Sequence, residues 1–321
     1  MKNKTDKKKF KKRKIPILII LIIVVLYFIV FFYNLSKPLP ENISLEGEIY
    51  EISEDKIEFL YDLTYLNETG SKVFQQEIFS NVFSLVDNAK KFIIIDMFLF
   101  NSDYSKKENM IPLTEILKEK LIKKKTENPN IKVYFITDEI NNFYGSYTSK
   151  EIEELRKNGI EVIVTDLTKL RDSNHYYSSF WRIFLQPFGT SGKGWLTHPL
   201  GNEEYKVTLR SYLKLLNTKA NHRKIIIADS GNEIHSIVTS GNPHEASSLH
   251  SNTAFLIKED VWQDVLKGEM AVASFSNYRL SSLDLSFVSP SEEGNIKVQY
   301  LTEGKIKFDA QLNENFNSKG V

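Results

Sequence analysis

The sequence predicts an α/β protein, a sheet flanked by helices and preceded by one N-terminal transmembrane helix. Three observations carry that expectation. They are an apolar run of membrane-spanning length near the start, an alternation of strand-like and helix-like segments from Lys91 onward, and two short apolar strands either side of a polar turn between Ile225 and Thr239.

The chain opens with a basic tail, residues 1–14, in which nine positions are lysine or arginine. Residues 15–33 are then apolar throughout apart from Pro16. This run is about long enough to cross a bilayer core and exceeds the apolar stretch of a cleaved signal peptide. Pro38 and Pro40 follow it with no small-residue cleavage pattern, so it reads as an uncleaved anchor. Basic residues before the run place the N-terminus in the cytoplasm and the globular part outside, on a single-pass protein of the cell membrane. The competing reading, a buried core helix behind a nucleic-acid-binding arm, fits poorly because core helices seldom carry so long an apolar run.

Residues 34–60 read as a linker. Beyond it, Phe92 to Phe100 is strand-like, Ile111 to Lys125 has helical spacing, and Ile131 to Thr137 is strand again. Glu151 to Asn158 predicts a helix closed by Gly159, and Ile160 to Thr165 the next strand. Asp96, Asp138 and Glu139 fall within or at the ends of these strands, where two readings compete, lining a site or, the favoured one, solvated or capping roles. From Asp166 to Asn217 the chain turns aromatic and basic, with Tyr176, Tyr177, Phe180, Trp181, Phe184, Phe188 and Trp195 close together. Two uses compete for that insertion, a satellite core or a loop dipping toward lipid headgroups. Ile225 to Ala228 and Ile234 to Thr239 then form a hairpin that returns Ser240 and Asn242 beside the first strand.

Composition narrows the chemistry. The chain has no cysteine, which removes disulfides, thiolate metal sites, cysteine nucleophiles and lipoprotein anchoring, and no other cluster of metal ligands stands out. Neither a metal nor an organic cofactor is expected. Lysine and arginine total 42 against 41 aspartates and glutamates, and since nine of the cations lie in the tail, the globular part is acidic on balance. That argues against a nucleic-acid partner.

What remains is Asn221 to Asp229, reading N-H-R-K-I-I-I-A-D, which sets His222 and Lys224 two residues apart at a strand entrance and therefore on one face. An imidazole beside an ammonium suits phosphoester chemistry, one group to attack phosphorus and the other to neutralise its oxygens. Asp229 lies an odd number of positions from His222, on the opposite face of a regular strand, and is expected to be structural.

His222, Lys224 and Asp229 fit an H-x-K-x-x-x-x-D pattern, and in this the region resembles the phospholipase D superfamily. The segment Ile237 to Asn252 is similar to the Ser/Gly/Asn stretch that follows the motif in bacterial phosphatidyltransferases such as cardiolipin synthases. Tyr177 to Trp195 and Leu209 to Leu216 resemble the membrane-anchored branch. The resemblance implies a phospholipase D-like sheet, His222 and Lys224 as catalytic residues, and Ser240 and Asn242 as ligands of the substrate phosphate. By resemblance alone, His244, Ser247 and His250 border the substrate.

Superfamily sites are built from two such motifs, because the group that attacks phosphorus on one side cannot protonate the oxygen leaving on the other. No second histidine here has lysine two residues later. Weak likeness between Tyr65 to Phe83 and Tyr300 to Phe316 suggests that residues 61–297 are the first half of such a protein and that 298–321 begin a truncated second repeat. The expected function is hydrolysis of phospholipids or phosphatidyl transfer through a phosphohistidine, with the missing motif supplied by a homodimer or a second-half polypeptide. The rivals are an inactive half-protein and a homodimeric single-motif nuclease.

Overall fold

A computed structural model describes residues 4–102, 110–200, 204–280, 283, 285 and 294–302. The elements run α1 (Lys4–Ser36), β1 (Glu46–Ile52), β2 (Ile57–Leu66), β3 (Lys72–Gln75), α2 (Ile78–Asn88), β4 (Phe92–Met97), α3 (Leu113–Glu127), β5 (Lys132–Thr137), α4 (Lys150–Lys157) and β6 (Glu161–Val164). They continue with α5 (His175–Phe184), β7 (Leu196–Thr197), β8 (Lys206–Val207), α6 (Leu209–Leu215), β9 (Lys224–Ser230), β10 (Glu233–Thr239), β11 (Asn252–Ile257), α7 (Trp262–Phe275) and β12 (Ile296–Leu301). The expected class, a sheet flanked by helices, is what the chain forms.

Eight strands make the central sheet in the order β3-β2-β11-β10-β9-β4-β5-β6. The pairs β4–β5 and β5–β6 are parallel and the others antiparallel. Strand β4, reading F-I-I-I-D-M, is buried along its whole length, which is why it lacks the alternation of a half-exposed strand. Its side chains divide by parity between two cores. Ile93, Ile95 and Met97 join Ile226 and Ala228 beneath α2 and α3, whereas Phe92 and Ile94 join Ile225 and Ile227 beneath α7. Helix α3 contributes Leu113, Leu117 and Leu121, four residues apart and so on one face. Helix α4 begins at Ser149, whose Oγ accepts from Ile152 N at 3.2 Å.

The stretch expected to be a linker, 34–60, contains β1 and the start of β2. Strand β1 pairs antiparallel with β12, more than 240 residues away, and the pair packs over α7, where Asp264 Oδ2 accepts from Glu48 N at 2.7 Å and Tyr50 Oη at 3.1 Å. A strand completed by so distant a partner carries no local signature. Strand β12 covers the start of the segment read as a second repeat, and 303–321 lie outside the described residues. The aromatic insertion is likewise structured, as α5, α6 and the short β7–β8 hairpin.

Helix α1 contains one stretch, Pro16–Ser36, long and apolar enough to cross a membrane, and its apolar side chains stay largely exposed, with Asn34 buried near its end. The apolar run and the length of the helix agree with the sequence expectation.

Candidate functional site

His222 stands just before β9, at the edge of the sheet where the parallel strands β4, β5 and β6 end, because β9 runs antiparallel to β4 and pairs Lys224 with Met97. Phe98 N donates to Arg223 O at 3.1 Å and extends this pairing one step past the strand. The Phe98 ring packs 4.5 Å from the His222 ring, centroid to centroid, and Lys224 Nζ lies 5.1 Å from the same ring. One phenylalanine thus forms a shared wall for imidazole and ammonium.

The two groups are adjacent but differently solvated. His222 is exposed, while Lys224 is buried. Lys224 Nζ donates to His222 O at 2.9 Å and lies 3.3 Å from His222 Nδ1. Burial lowers the Lys224 pKa to about 8, against the attraction of Asp96 and Asp138, which favours the charge. Partial burial, and then the Lys224 charge, lower the His222 pKa below its ordinary 6.5. At neutral pH the pair is therefore a neutral imidazole beside an ammonium, able to hold an anion and offer a ring nitrogen to it.

Beneath the pair lies a buried acidic layer, formed by two of the carboxylates for which the sequence left a site-lining role as the less favoured reading. Asn221 Nδ2 lies 2.9 and 2.8 Å from the two Asp96 oxygens, and Asn221 N donates to Asp138 Oδ2 at 2.6 Å. Asp138 also caps the next turn, accepting from Ile140 N at 2.8 Å, and burial pushes its pKa up to about 7. Asp96, expected at a solvated or capping position, is instead fully buried. Burial and the neighbouring Glu269 carboxyl raise its pKa well above the carboxylate range. Glu269 Oε2 is buried without a hydrogen-bond partner among the described residues, while Glu269 Oε1 accepts from Arg223 Nη1 at 2.9 Å.

The remaining expected residues are placed as follows. Asp229 is on the far side of β9 from Lys224, and its carboxylate accepts from Lys90 N, Lys91 N and Phe92 N at 2.9, 2.8 and 2.8 Å. Asn242 is buried, and its Oδ1 accepts from Leu99 N at 3.0 Å, fixing the residue after Phe98. Ser240 Oγ accepts from Thr253 N at 3.0 Å and pairs with Asn252 Oδ1 at 3.3 Å, so its hydroxyl is directed to β11. His244 and Ser247 are buried while His250 is exposed, and burial, then the charge of His250, lower the His244 pKa to about 4. Asn221, Phe98 and Glu269 went unread because each acts through a partner on another strand or helix. The one local hint was that Asn221 and Phe98 directly flank a motif residue and an apolar run.

A polar cavity of about 570 Å³ opens further along the same sheet edge, lined in part by Glu139, Asn142, Tyr147, Thr165, Asp166 and Thr190. Among the described residues, no group of three or more His, Asp or Glu is arranged to hold a metal ion.

No family model matches the chain, and no curated protein is similar to it. In fold it is similar to solved structures of the phospholipase D family. One is described as a phospholipase D family member, Nuc from Salmonella typhimurium, with 16% identity over 71% of this chain and 98% of that one at a TM-score of 0.35. NucT from Helicobacter pylori is similar at 14% identity over 70% and 99% of the two chains, with a TM-score of 0.33. Phosphatidylserine synthase from Haemophilus influenzae Rd KW20 is similar at 14% identity and a TM-score of 0.38, over 68% of this chain and 37% of the synthase.

Proposed function

We propose that this chain is a membrane-anchored, phospholipase D-like phosphodiesterase or phosphatidyltransferase of the cardiolipin synthase type. It would act on phospholipids and be completed by a second His–Lys motif in trans. The observation that carries the reading is the exposed His222 imidazole set against the buried Lys224 ammonium. In the reaction, a His222 ring nitrogen bonds to phosphorus as the ester P–O bond breaks, and the departing alkoxide takes a proton from an acid on the opposite side. Lys224 neutralises the nonbridging oxygens, and water or an alcohol then displaces the histidine. Asn242 acts by holding the strand that carries Phe98, and Asp229 by fixing β9 to the start of β4. Helix α1 anchors the chain with its N-terminus cytoplasmic and its globular part outside, where phospholipid headgroups are at hand.

One observation favours the rival reading of a half-protein that is inactive alone. Attack through Nε2 requires the proton on Nδ1, yet the hydrogen-bonding neighbour of that atom among the described residues is the Lys224 cation, a donor rather than an acceptor. An acceptor that orients the imidazole would therefore arrive with the second half of the site. The acidic body and the anchor disfavour the homodimeric nuclease.

The test is purified full-length protein in proteoliposomes containing labelled phosphatidylglycerol, with headgroup release and cardiolipin formation followed together. His222→Ala is expected to lower both by about 10³-fold or more while circular dichroism stays unchanged. Equal activity in the variant overturns the assignment of the nucleophile.

A further inference from the structure

The amphipathic helix α5 carries an aromatic stripe that the fold leaves largely exposed. Tyr176, Phe180 and Phe184 recur every fourth residue and so share one face, and they are 73%, 45% and 37% exposed. Phe188 and Trp195, further along the same insertion, are also exposed aromatics, at 71% and 68%. The opposite face of α5 is buried through Ser178, Ser179 and Trp181, so the helix is firmly seated with its aromatic side outward.

The position of this stripe relative to α1 identifies what it meets. Tyr27 Oη donates to Tyr176 O at 3.1 Å, and the Phe31 ring lies 5.1 Å from the Tyr176 ring and 6.2 Å from the His175 ring. Tyr27 and Phe31 belong to the apolar stretch Pro16–Ser36. They precede its end by nine and five residues, roughly 14 and 8 Å at the rise of an α-helix. Polar and cationic groups gather where that stretch ends: Arg171 Nε donates to Lys37 O at 2.7 Å, and Lys37 Nζ donates to Thr168 O at 2.6 Å. The chain thus passes from a basic collar at the end of α1 into a helix lying beside lipid-depth residues of the anchor. Basic residues at headgroup level with aromatic side chains just below are the pattern of an interfacial helix.

We propose that α5, with Phe188 and Trp195, is a second membrane-contact surface, inserted on the outer side of the same bilayer that α1 spans. The occupant of the stripe is the headgroup and upper acyl region of the phospholipid leaflet. Two attachments fix the orientation of the globular part, where one helix alone would leave it free to swivel. The proposal rests on α1 crossing the membrane but not on any catalytic role for His222.

The absence of cysteine makes the test direct, since single cysteines can be introduced and labelled without background. Full-length Phe180→Cys and Phe188→Cys carry an environment-sensitive fluorophore in proteoliposomes of phosphatidylglycerol and phosphatidylethanolamine. Quenching by brominated acyl chains is compared with quenching by aqueous iodide. Val24→Cys serves as the anchor control and the exposed Lys123→Cys on α3 as the aqueous one. The expected result is lipid quenching at 180 and 188 several-fold above that at 123, with iodide quenching correspondingly lower. Lipid quenching at Val24 together with values at 180 and 188 like those at 123 overturns the proposal and leaves the anchor standing. Shielding from both quenchers at 180 and 188 shows that protein covers the stripe, which also overturns it. Absence of lipid quenching at Val24 removes the anchor and the proposal with it.

Discussion

At Lys224 the needs of folding and of the proposed anion binding pull in opposite directions. Burial lowers its pKa from 10.5 to about 8, so the folded chain holds its proton less tightly than the unfolded chain. The fold therefore bears the cost of the charge below pH 8 and regains it as pH climbs from 8 toward 10.5, where only the unfolded chain keeps the proton. That difference is at most about 3 kcal/mol, and nearer 1–2 once solvent reaching the amine is allowed for. Lys224→Met is accordingly expected to raise the melting temperature at pH 7 while lowering turnover about 10²- to 10³-fold, as calorimetry and the lipid assay would show. The same titration shapes the pH profile expected of the proposed activity. Activity should climb as His222 loses its proton below pH 6.5 and fall through about pH 8 as Lys224 loses its own. A rate still rising at pH 9 would exclude the Lys224 cation from the reaction. Asp229 shows the contrasting case of a motif residue serving the fold alone. Asp229→Ala strips the acceptor from three backbone N–H groups and is expected to cost about 3 kcal/mol in urea unfolding.

Among the elements, β9 matters because residues at its entrance are secured on both faces of the sheet. Lys224 turns toward the site with Phe98, while Arg223 turns to the α7 side and reaches Glu269, whose carboxyl neighbours that of Asp96 on β4. Arg223→Met leaves the buried Glu269 without its cation and should cost about 3–5 kcal/mol, measurable in the unfolding midpoint and accompanied by loss of activity through a loosened β9 entrance. Much of this architecture was legible in the sequence. The fully buried β4 and β5 announced themselves as apolar runs, α3 by its leucine spacing, and the β9–β10 hairpin by its polar turn, while parity alone put Asp229 on the face away from His222. Three features were not legible, and for one reason. The β1–β12 pair, the Asp96–Glu269 couple and the ordered α5–α6 insertion all depend on partners distant in sequence, and a lone sequence carries no record of who those partners are. The same holds beside the site, where Asn242 accepts from Leu99 N and the Ser240 hydroxyl bonds Thr253 N and Asn252 Oδ1, partners that lie elsewhere in the chain.

For the molecule as a whole, the decisive matter is what stands opposite His222. In-line displacement needs a proton donor on the far side of phosphorus, and the imidazole here faces outward from the sheet edge. If a second copy supplies the donor, two chains form one site about a twofold axis, in which one His222 attacks phosphorus and the other protonates the leaving oxygen, so both are needed. Copies carrying His222→Ala then poison the wild type. With a fixed amount of wild-type chain in proteoliposomes and a ninefold excess of the variant, random pairing leaves about a tenth of wild-type chains with a wild-type partner, so activity should fall about tenfold. A site completed within one chain predicts no change. A site completed by a different polypeptide predicts little activity at any mixing ratio, restored only when that polypeptide is added. The three outcomes are separable in one titration, which makes it the measurement that connects an exposed half-site to the reaction proposed for it.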